Sequence, residues 1–173
     1  MQFATAFIAV SALVAGVAAD YATVKTDVTK IQTDVAKLYQ ALKTTSGTSY
    51  SEALAIDSAS KALVKDINTA NTDAQAVSSV TTTQANALIS ILSKTYTNVS
   101  LASQRLITLE PAFKKLGVAG IAKTDVNNVA SATKTFGATL VSKAPSASKS
   151  SASSLAAKYN KALASAVAAY ASD

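Results

Sequence analysis

The 173-residue chain has no histidine, cysteine or tryptophan and one arginine, and its 16 basic and 10 acidic side chains give a net charge of +6. Without histidine and cysteine, the commonest general base, a thiol nucleophile, disulfide bonds and most zinc sites are excluded. The lysines are scattered along the chain, whereas nucleic-acid readers favour arginine and stacking aromatic rings. The composition therefore argues against an enzyme and against a nucleic-acid partner.

Residues 1–19 carry no charged side chain and are mostly apolar up to the first acidic residue, Asp20. This pattern predicts a secretory signal peptide, and the small residues from Val17 to Ala19 predict cleavage after Ala19. The run is barely long enough to span a bilayer and lacks flanking basic residues, which favours cleavage over a retained anchor. We expect a secreted, extracellular mature chain of residues 20–173, with one domain and no transmembrane segment.

The clearest periodic pattern lies in residues 21–42, where apolar side chains keep a 3,4 spacing. The stripe consists of Tyr21, Val24, Val28, Ile31, Val35, Leu38 and Leu42. Such spacing predicts a helix with one narrow buried stripe, which needs partner helices.

A second helix is predicted after a polar turn at residues 43–48, in which Gly47 is the expected left-handed residue. Ser49 followed by Glu52 matches a capping box, and the helix extends to about residue 79. Its predicted stripe is Leu54, Leu63, Ile67, Ala70, Ala74 and Val77.

A third helix is predicted to begin at the threonines 81–83, which offer caps. Its stripe is Leu88, Leu92, Thr95, Val99, Ala102, Leu106 and Leu109. We expect Pro111 to end this helix, because the residue before a proline is pushed away from helical geometry. A short helical turn over residues 111–116 then holds Phe113 inward and is closed by Gly117.

A fourth helix is predicted over residues 120–143, with the stripe Ala122, Val126, Val129, Thr133, Phe136 and Leu140. Pro145 then breaks the chain. Residues 146–154 are almost pure serine and alanine, which fits a loop, a glycosylated patch or the first turns of a helix. We favour a fifth helix that begins soon after Pro145 and continues to Tyr170. Five such segments without any period-2 stretch predict an all-α fold, a single antiparallel bundle of about five amphipathic helices.

No group of residues indicates catalysis. The acidic side chains fall on polar helix faces near lysines, and no glycine-rich phosphate loop is present. We therefore expect no enzymatic activity, no cofactor and no metal. Asn98 begins an N-glycosylation sequon, a weak three-residue signal.

The predicted interior consists mainly of alanine, valine, leucine and isoleucine. Two interpretations follow: either the helices approach closely, or they leave an apolar cavity that suits an alkyl chain. The composition alone favours close approach.

The opening helix with its Val24 to Val28 segment, the cysteine-free composition rich in alanine, serine and threonine, and the stretch from Leu63 to Gln75 resemble the fungal hydrophobic surface-binding protein A family. This family includes the ligand-binding domains of cell-wall galactomannoproteins. The resemblance covers residues 20–173 and rests on pattern and composition. It implies a helical bundle that binds long-chain fatty acids internally, or hydrophobic solid surfaces with recruitment of a secreted hydrolase. The serine- and threonine-rich stalk of the cell-wall members is missing, so the chain is more similar to the short secreted members.

We therefore expect a secreted, non-enzymatic protein without a cofactor that binds a fatty acid, another lipid or a hydrophobic surface and associates with the cell wall. Two alternatives are a structural or antigenic cell-wall protein with a filled core and a membrane-active helical toxin.

A cavity is predicted between the first four helices, lined by some of the mid-helix residues Val28, Val35, Leu63, Ile67, Leu92, Tyr96, Val99, Phe136 and Leu140. Tyr96 is the expected polar contact to a carboxylate head group, because it flanks its stripe and its hydroxyl can donate one hydrogen bond. The alternative is that this hydroxyl points to water.

Overall fold

The structure, a computed structural model, describes residues 20–172. The signal-peptide prediction falls on residues 1–19 and lies outside the described residues. Five helices make up the described part: α1 (Tyr21–Thr44), α2 (Tyr50–Ala76), α3 (Thr82–Leu116), α4 (Ala119–Lys143) and α5 (Ser146–Ala169). The predicted all-α bundle is confirmed. None of these five helices combines the length and the apolarity needed to cross a bilayer.

The five helices form a closed ring in the order α1, α2, α4, α5 and α3, and α3 packs back against α1. The Lys143 ammonium at the end of α4 donates to the Gln75 carbonyl at the end of α2. Likewise, the Ser148 hydroxyl near the start of α5 donates to the Asn86 side chain near the start of α3. Consecutive helices run in opposite directions. In the ring, however, α2 lies beside α4 and α3 lies beside α5, and the two helices of each of these pairs are parallel.

A ring of five helices encloses more space than a four-helix bundle does. With adjacent axes about 9 Å apart, the centre lies about 8 Å from each axis in a regular pentagon and about 6 Å in a square. We call the end with the α2–α3 and α4–α5 connections the lower end, and the end with the α1–α2 and α3–α4 connections the upper end. The buried apolar stripes all face the space between these ends.

The predicted stripe of α1 is confirmed. Val24, Val28, Ile31, Val35 and Leu42 are buried, and the remaining members of the stripe are partly buried. Asp20 caps the helix, because its carboxylate accepts a hydrogen bond of 2.9 Å from the backbone N–H of Thr23. Capping satisfies one of the amide groups that have no partner inside the helix.

The start of α2 differs from the predicted capping box. Ser49 accepts a hydrogen bond from the Glu52 backbone N–H, as expected, but the Glu52 side chain accepts instead from the Thr45 hydroxyl. A complete capping box occurs at the start of α3, between Thr81 and Gln84.

The predicted stripe of α2 is wrong at Leu54, which is 42% exposed. Ala53 and Ile56 face the interior instead. The helical phase set by Leu63 and Ile67 continues towards the N-terminus through positions 60, 56 and 53, and position 54 lies off that face.

The prediction that Pro111 ends α3 is wrong, because the helix continues through it to Leu116. Proline removes one backbone donor, and the loss is confined here to the last turns of the helix. Continuation places both Leu109 and Phe113 in the core. The helix ends at Gly117, which has a φ of 80°, and the Val118 N–H bonds the Phe113 carbonyl at 2.9 Å. Gly117 therefore closes this segment as predicted, by a left-handed termination, and the left-handed conformation predicted for Gly47 is also present.

The serine- and alanine-rich segment after Pro145 is helical, as favoured. Its small side chains let α5 approach α4 closely. A Cβ built on Gly137 of α4 would lie 3.4 Å from the Cβ of Ala156 on α5. Close approach at this seam therefore coexists with the larger central space that the ring encloses.

Two glycines with left-handed backbone differ in their surroundings and provide a matched test. A Cβ on Gly47, which has a φ of 76°, would lie 2.8 Å from the Ala112 Cβ and 3.1 Å from the Leu109 Cδ2, whereas a Cβ on Gly117 would have no atom within 4 Å. We expect Gly47→Ala to lower the free energy of unfolding by about 2–4 kcal/mol, through strain and overpacking. Gly117→Ala should lower it by only about 1–2 kcal/mol, through strain alone.

Urea unfolding of both variants measures this difference. Equal losses would show that the α1–α2 loop can move away from α3 without resistance.

Candidate functional site

Two apolar cavities lie along the axis of the ring. Cavity 1, of about 110 Å³, reaches Val80 at the lower end, and cavity 2, of about 80 Å³, reaches Val118 at the upper end. Five residues line both cavities, and we call them the waist: Val35, Leu63, Val99, Val129 and Leu163. Along α3, cavity 1 extends from Val99 to Ala85 and cavity 2 from Val99 to Phe113, which is about 21 Å in each direction.

Cavity 1 is lined by side chains from all five helices. The prediction placed it between the first four, but α5 also forms a wall, with Ala152, Leu155, Ala156, Tyr159 and Leu163. The contribution of α5 was missed because its serine- and alanine-rich first half shows little apolar periodicity. The alanines at 152 and 156 are short, and short side chains leave space beside them.

Seven of the nine predicted cavity residues line cavity 1: Val35, Leu63, Ile67, Leu92, Val99, Phe136 and Leu140. Val28 is completely buried in the core and is not part of the lining. Tyr96 is also outside the lining. Its ring packs edge-on against Tyr159, with ring centroids 5.4 Å apart and planes at 61°. Tyr96 thus supports a wall residue, and its role as a head-group contact stays a prediction.

Tyr159 lines cavity 1, and its hydroxyl group already forms a hydrogen bond within the protein. Its hydroxyl donates a hydrogen bond of 2.8 Å to the Leu92 carbonyl and so ties α5 to α3 at the cavity wall. Burial raises the pKa of Tyr159, so its hydroxyl stays protonated. Because the hydroxyl already has this hydrogen-bond partner, Tyr159 contributes its apolar ring to the cavity lining.

Lys143 is the charged residue in the lining of cavity 1. Its ammonium donates hydrogen bonds of 2.8 Å to the carbonyls of Gln75 and Val77, at the end of α2. An ammonium carries three N–H donors, so one remains for an acceptor in the cavity. No pattern in the sequence indicates this role, because a lysine in the last turn of a helix is already explained by the helix dipole.

Cavity 2 has a different polar side, formed by Ser60, Ser103 and Asp125. All three residues are buried. Burial and, to a lesser extent, the nearby Asp57 carboxylate raise the pKa of Asp125 to about 7, while Lys61 opposes the shift. Near neutral pH the Asp125 carboxyl is therefore partly protonated.

Other acidic side chains lie at the α1–α2 interface, outside both cavity linings. Burial raises the pKa of Asp27 to about 6, with Asp73 and Asp66 adding to the effect. The Lys30 ammonium bonds both Asp34 and Asp66. Within residues 20–172, no group of three or more side chains is arranged to hold a metal ion.

Asn98, the glycosylation candidate, lies in the middle of α3 and is half-buried. Glycosylation acceptors are ordinarily on accessible surface segments. Its modification stays a prediction.

Comparison with known proteins identifies a family that the chain matches and several solved structures with a similar fold. Residues 21–142 match the family described as hydrophobic surface binding protein A. No protein among the curated sequences matches the chain. One similar solved structure is AFMP4P in complex with palmitic acid, with a TM-score of 0.82 and 24% identity over 87% of this chain and 99% of that chain.

Two further structures are ligand binding domains of the Penicillium marneffei MP1 protein. Domain 1, complexed with arachidonic acids, has a TM-score of 0.80 and 18% identity over 87% of this chain and 98% of that chain. Domain 2, complexed with multiple arachidonic acids, has a TM-score of 0.79 and 16% identity over 86% of this chain and 94% of that chain. At these identities the three likenesses establish a shared fold.

Proposed function

Because the chain belongs to the hydrophobic surface binding protein A family, we propose that it is an extracellular, non-enzymatic protein that binds a long-chain fatty acid in cavity 1. The observation that carries this proposal is an apolar cavity with a single lysine ammonium in its lining. Apolar walls with a few placed polar groups are typical of sites for such ligands. The palmitic and arachidonic acids bound to proteins of the same fold support this ligand class.

In the proposed complex, the carboxylate accepts the third N–H of the Lys143 ammonium. The Gln75 and Val77 carbonyls hold this ammonium in place, so little ordering is needed on binding. The tail then runs past Leu92 and Phe136 towards the waist. Charge-assisted hydrogen bonds of this kind are stronger than those between neutral groups.

The length of the tail determines how far the waist must move. A cavity of about 150 Å³ in another protein holds benzene, and by that measure cavities 1 and 2 together hold about eight carbon atoms. A longer tail must displace waist side chains or extend out of the cavity mouth. We therefore propose that the waist side chains move to accommodate tails of different length.

Lys143→Met tests the head-group contact. The variant keeps a long, unbranched side chain but removes the charge, and we expect the affinity for palmitate to fall about 10- to 100-fold, as for one hydrogen bond to a charged group. Lys134→Met, at an exposed site on the same helix, is the matched control and should change the affinity less than twofold. Displacement of cis-parinaric acid from delipidated protein measures both.

Circular dichroism must show that both variants remain helical. Equal affinities of the two variants would remove Lys143 from the site. A delipidated wild type that binds no palmitate at micromolar concentration would overturn the fatty-acid proposal as a whole.

A second candidate function, adsorption to hydrophobic solids, is supported by the exposed apolar side chains. The large ones are Tyr50, Leu54, Leu101 and Ile107, which are between 36% and 54% exposed. All four lie in the upper half of the bundle, at the start of α2 and in the second half of α3. We propose that the upper half of the bundle contacts the solid through these side chains while the bundle stays folded.

The triple variant Leu54→Ser, Leu101→Ser and Ile107→Ser tests the surface contact. We expect it to lose most of its retention on octyl-agarose, because three apolar contacts are removed, while its palmitate affinity changes less than twofold. A variant with Lys65→Ser and Lys94→Ser, both at exposed sites, is the control and should be retained like the wild type. Unchanged retention of the triple variant would place the adsorbing surface elsewhere.

The remaining parts of the proposal concern processing and partners. We propose secretion with removal of residues 1–19, association with the cell wall and recruitment of a secreted hydrolase. The net charge of +6 supports attraction to an acidic partner. The intact mass of the secreted protein tests the removal of residues 1–19. Co-sedimentation of the protein with cell walls tests association with the wall, and co-sedimentation of a secreted hydrolase with layers of the adsorbed protein tests recruitment.

A further inference from the structure

The polar side of cavity 2 is buried and still open to a ligand. Ser60, Ser103 and Asp125 are 4%, 6% and 8% exposed and line the cavity. Neither serine hydroxyl has a hydrogen-bond partner among the described residues. Among the described residues, the buried side-chain atom without a partner is Asp27 Oδ2, so both serine hydroxyls keep accessible surface, and a ligand group or a water molecule placed against it would gain hydrogen bonds.

The charges around this polar side disfavour an anion. Asp125 faces the Asp57 carboxylate, which pairs with the Lys61 ammonium at 2.8 Å. The lining of cavity 2 includes no lysine or arginine. A fatty-acid carboxylate here would lie close to two carboxyl groups without a counter-ion of its own, and an unpaired buried charge is strongly unfavourable.

A hydroxyl group fits the same set of atoms. It can donate to the Asp125 carboxyl and accept from the hydroxyl of Ser60 or Ser103. We propose that cavity 2 binds the hydroxyl end of a neutral lipid, such as a long-chain alcohol, with the chain directed towards the waist. This inference extends the proposed function, because it gives the upper half of the central space a ligand class different from that of the lower half.

The protonation of Asp125 supports the same preference. Its pKa of about 7 means that the carboxyl is largely neutral in mildly acidic medium and charged in alkaline medium. Both forms accept a hydrogen bond from an alcohol, whereas the charged form repels a carboxylate. Selectivity for the alcohol over the acid should therefore increase from pH 6 to pH 8.

Two alanine-to-leucine variants separate the cavities. Ala122 on α4 lines only cavity 2 and Ala152 on α5 lines only cavity 1, and both are buried. 1-Decanol and decanoate are probes of equal chain length, and each is larger than one cavity, so both pass the waist and differ in which cavity holds the polar end. We expect Ala122→Leu to weaken 1-decanol binding at least three times more than decanoate binding. Ala152→Leu should give the reverse pattern. Calorimetric titration of delipidated protein at pH 8 measures all four combinations.

The polar contact is tested separately at Asp125. Asp125→Val has nearly the same shape without polar atoms and should weaken 1-decanol binding about 5- to 20-fold, whereas Asp125→Asn, which can still accept a hydrogen bond, should restore most of it. Full 1-decanol affinity in Asp125→Val, or equal effects of Ala122→Leu on both probes, would overturn the proposal. A wild type that binds 1-decanol but neither decanoate nor palmitate would instead overturn the fatty-acid proposal and leave this one standing.

Discussion

Replacing Val35 by aspartate is expected to unfold the protein at neutral pH. Val35 is buried in the α1 stripe and belongs to the waist, where its neighbours are apolar. An aspartate at this position has no cation to pair with, and burial of an unpaired carboxylate costs several kcal/mol. The whole free energy of unfolding of a domain is typically about 5–15 kcal/mol, so this single change removes much or all of it.

The exposed face of the same helix provides the control. Thr33→Asp places the same side chain on the exposed face two residues earlier, four positions before Lys37, and should change the stability by less than about 0.5 kcal/mol. Far-ultraviolet circular dichroism and thermal melting compare the two variants. Unchanged melting of Val35→Asp would show that the α1 stripe is not buried in solution.

The stability of the protein should fall as the pH rises from about 4 to 7. Asp125 has a pKa of about 7 and Asp27 of about 6, both raised mainly by burial. Between the ordinary carboxyl pKa of about 4 and these values, the folded protein holds protons that the unfolded chain releases. Raising the pH through 6 and 7 therefore removes this stabilisation, which for Asp125 amounts to as much as about 4 kcal/mol.

Asparagine substitutions identify the groups responsible. Asp125→Asn should flatten the profile between about pH 4 and 7, and Asp27→Asn between about pH 4 and 6. Below pH 4 the stability should fall again, because hydrogen bonding with Asp66 and with the Lys30 ammonium outweighs burial and holds the pKa of Asp34 below its usual range. Urea unfolding at several pH values gives the profile. A flat wild-type profile above pH 5 would mean that water reaches both carboxyls freely.

Apolar periodicity was sufficient to predict the helices and most of their buried faces, because each stripe repeats over several turns. The prediction was wrong where a local rule, such as the one that disfavours helix before a proline, opposed tertiary packing. Pro111 disfavours helix, but the burial of Leu109 and Phe113 on one face outweighs the loss of a single backbone bond. Leu54 was placed in the stripe by its residue type, although its helical phase directs it outward.

The order of the helices around the ring could not be predicted, because an apolar stripe identifies a buried face and not the helix that covers it. The same limit applies to the candidate site. Lys143 and Asp125 resemble ordinary surface charges in the sequence, and only the ring order brings each one to a cavity lining. The alanines at 152 and 156 gave no signal, because short side chains in the sequence do not show whether a neighbour fills the space beside them.

The two cavities leave part of the apolar interior unfilled by side chains. Empty apolar volume lowers stability by about 24 cal/mol per Å³, which gives about 2.6 kcal/mol for cavity 1 and about 1.9 kcal/mol for cavity 2. A lipid tail that fills this volume acts as part of the hydrophobic core, although it is not part of the chain. Under the proposed function, binding should raise the melting temperature with ligand concentration, and the thermal stability would then report how much lipid the protein carries.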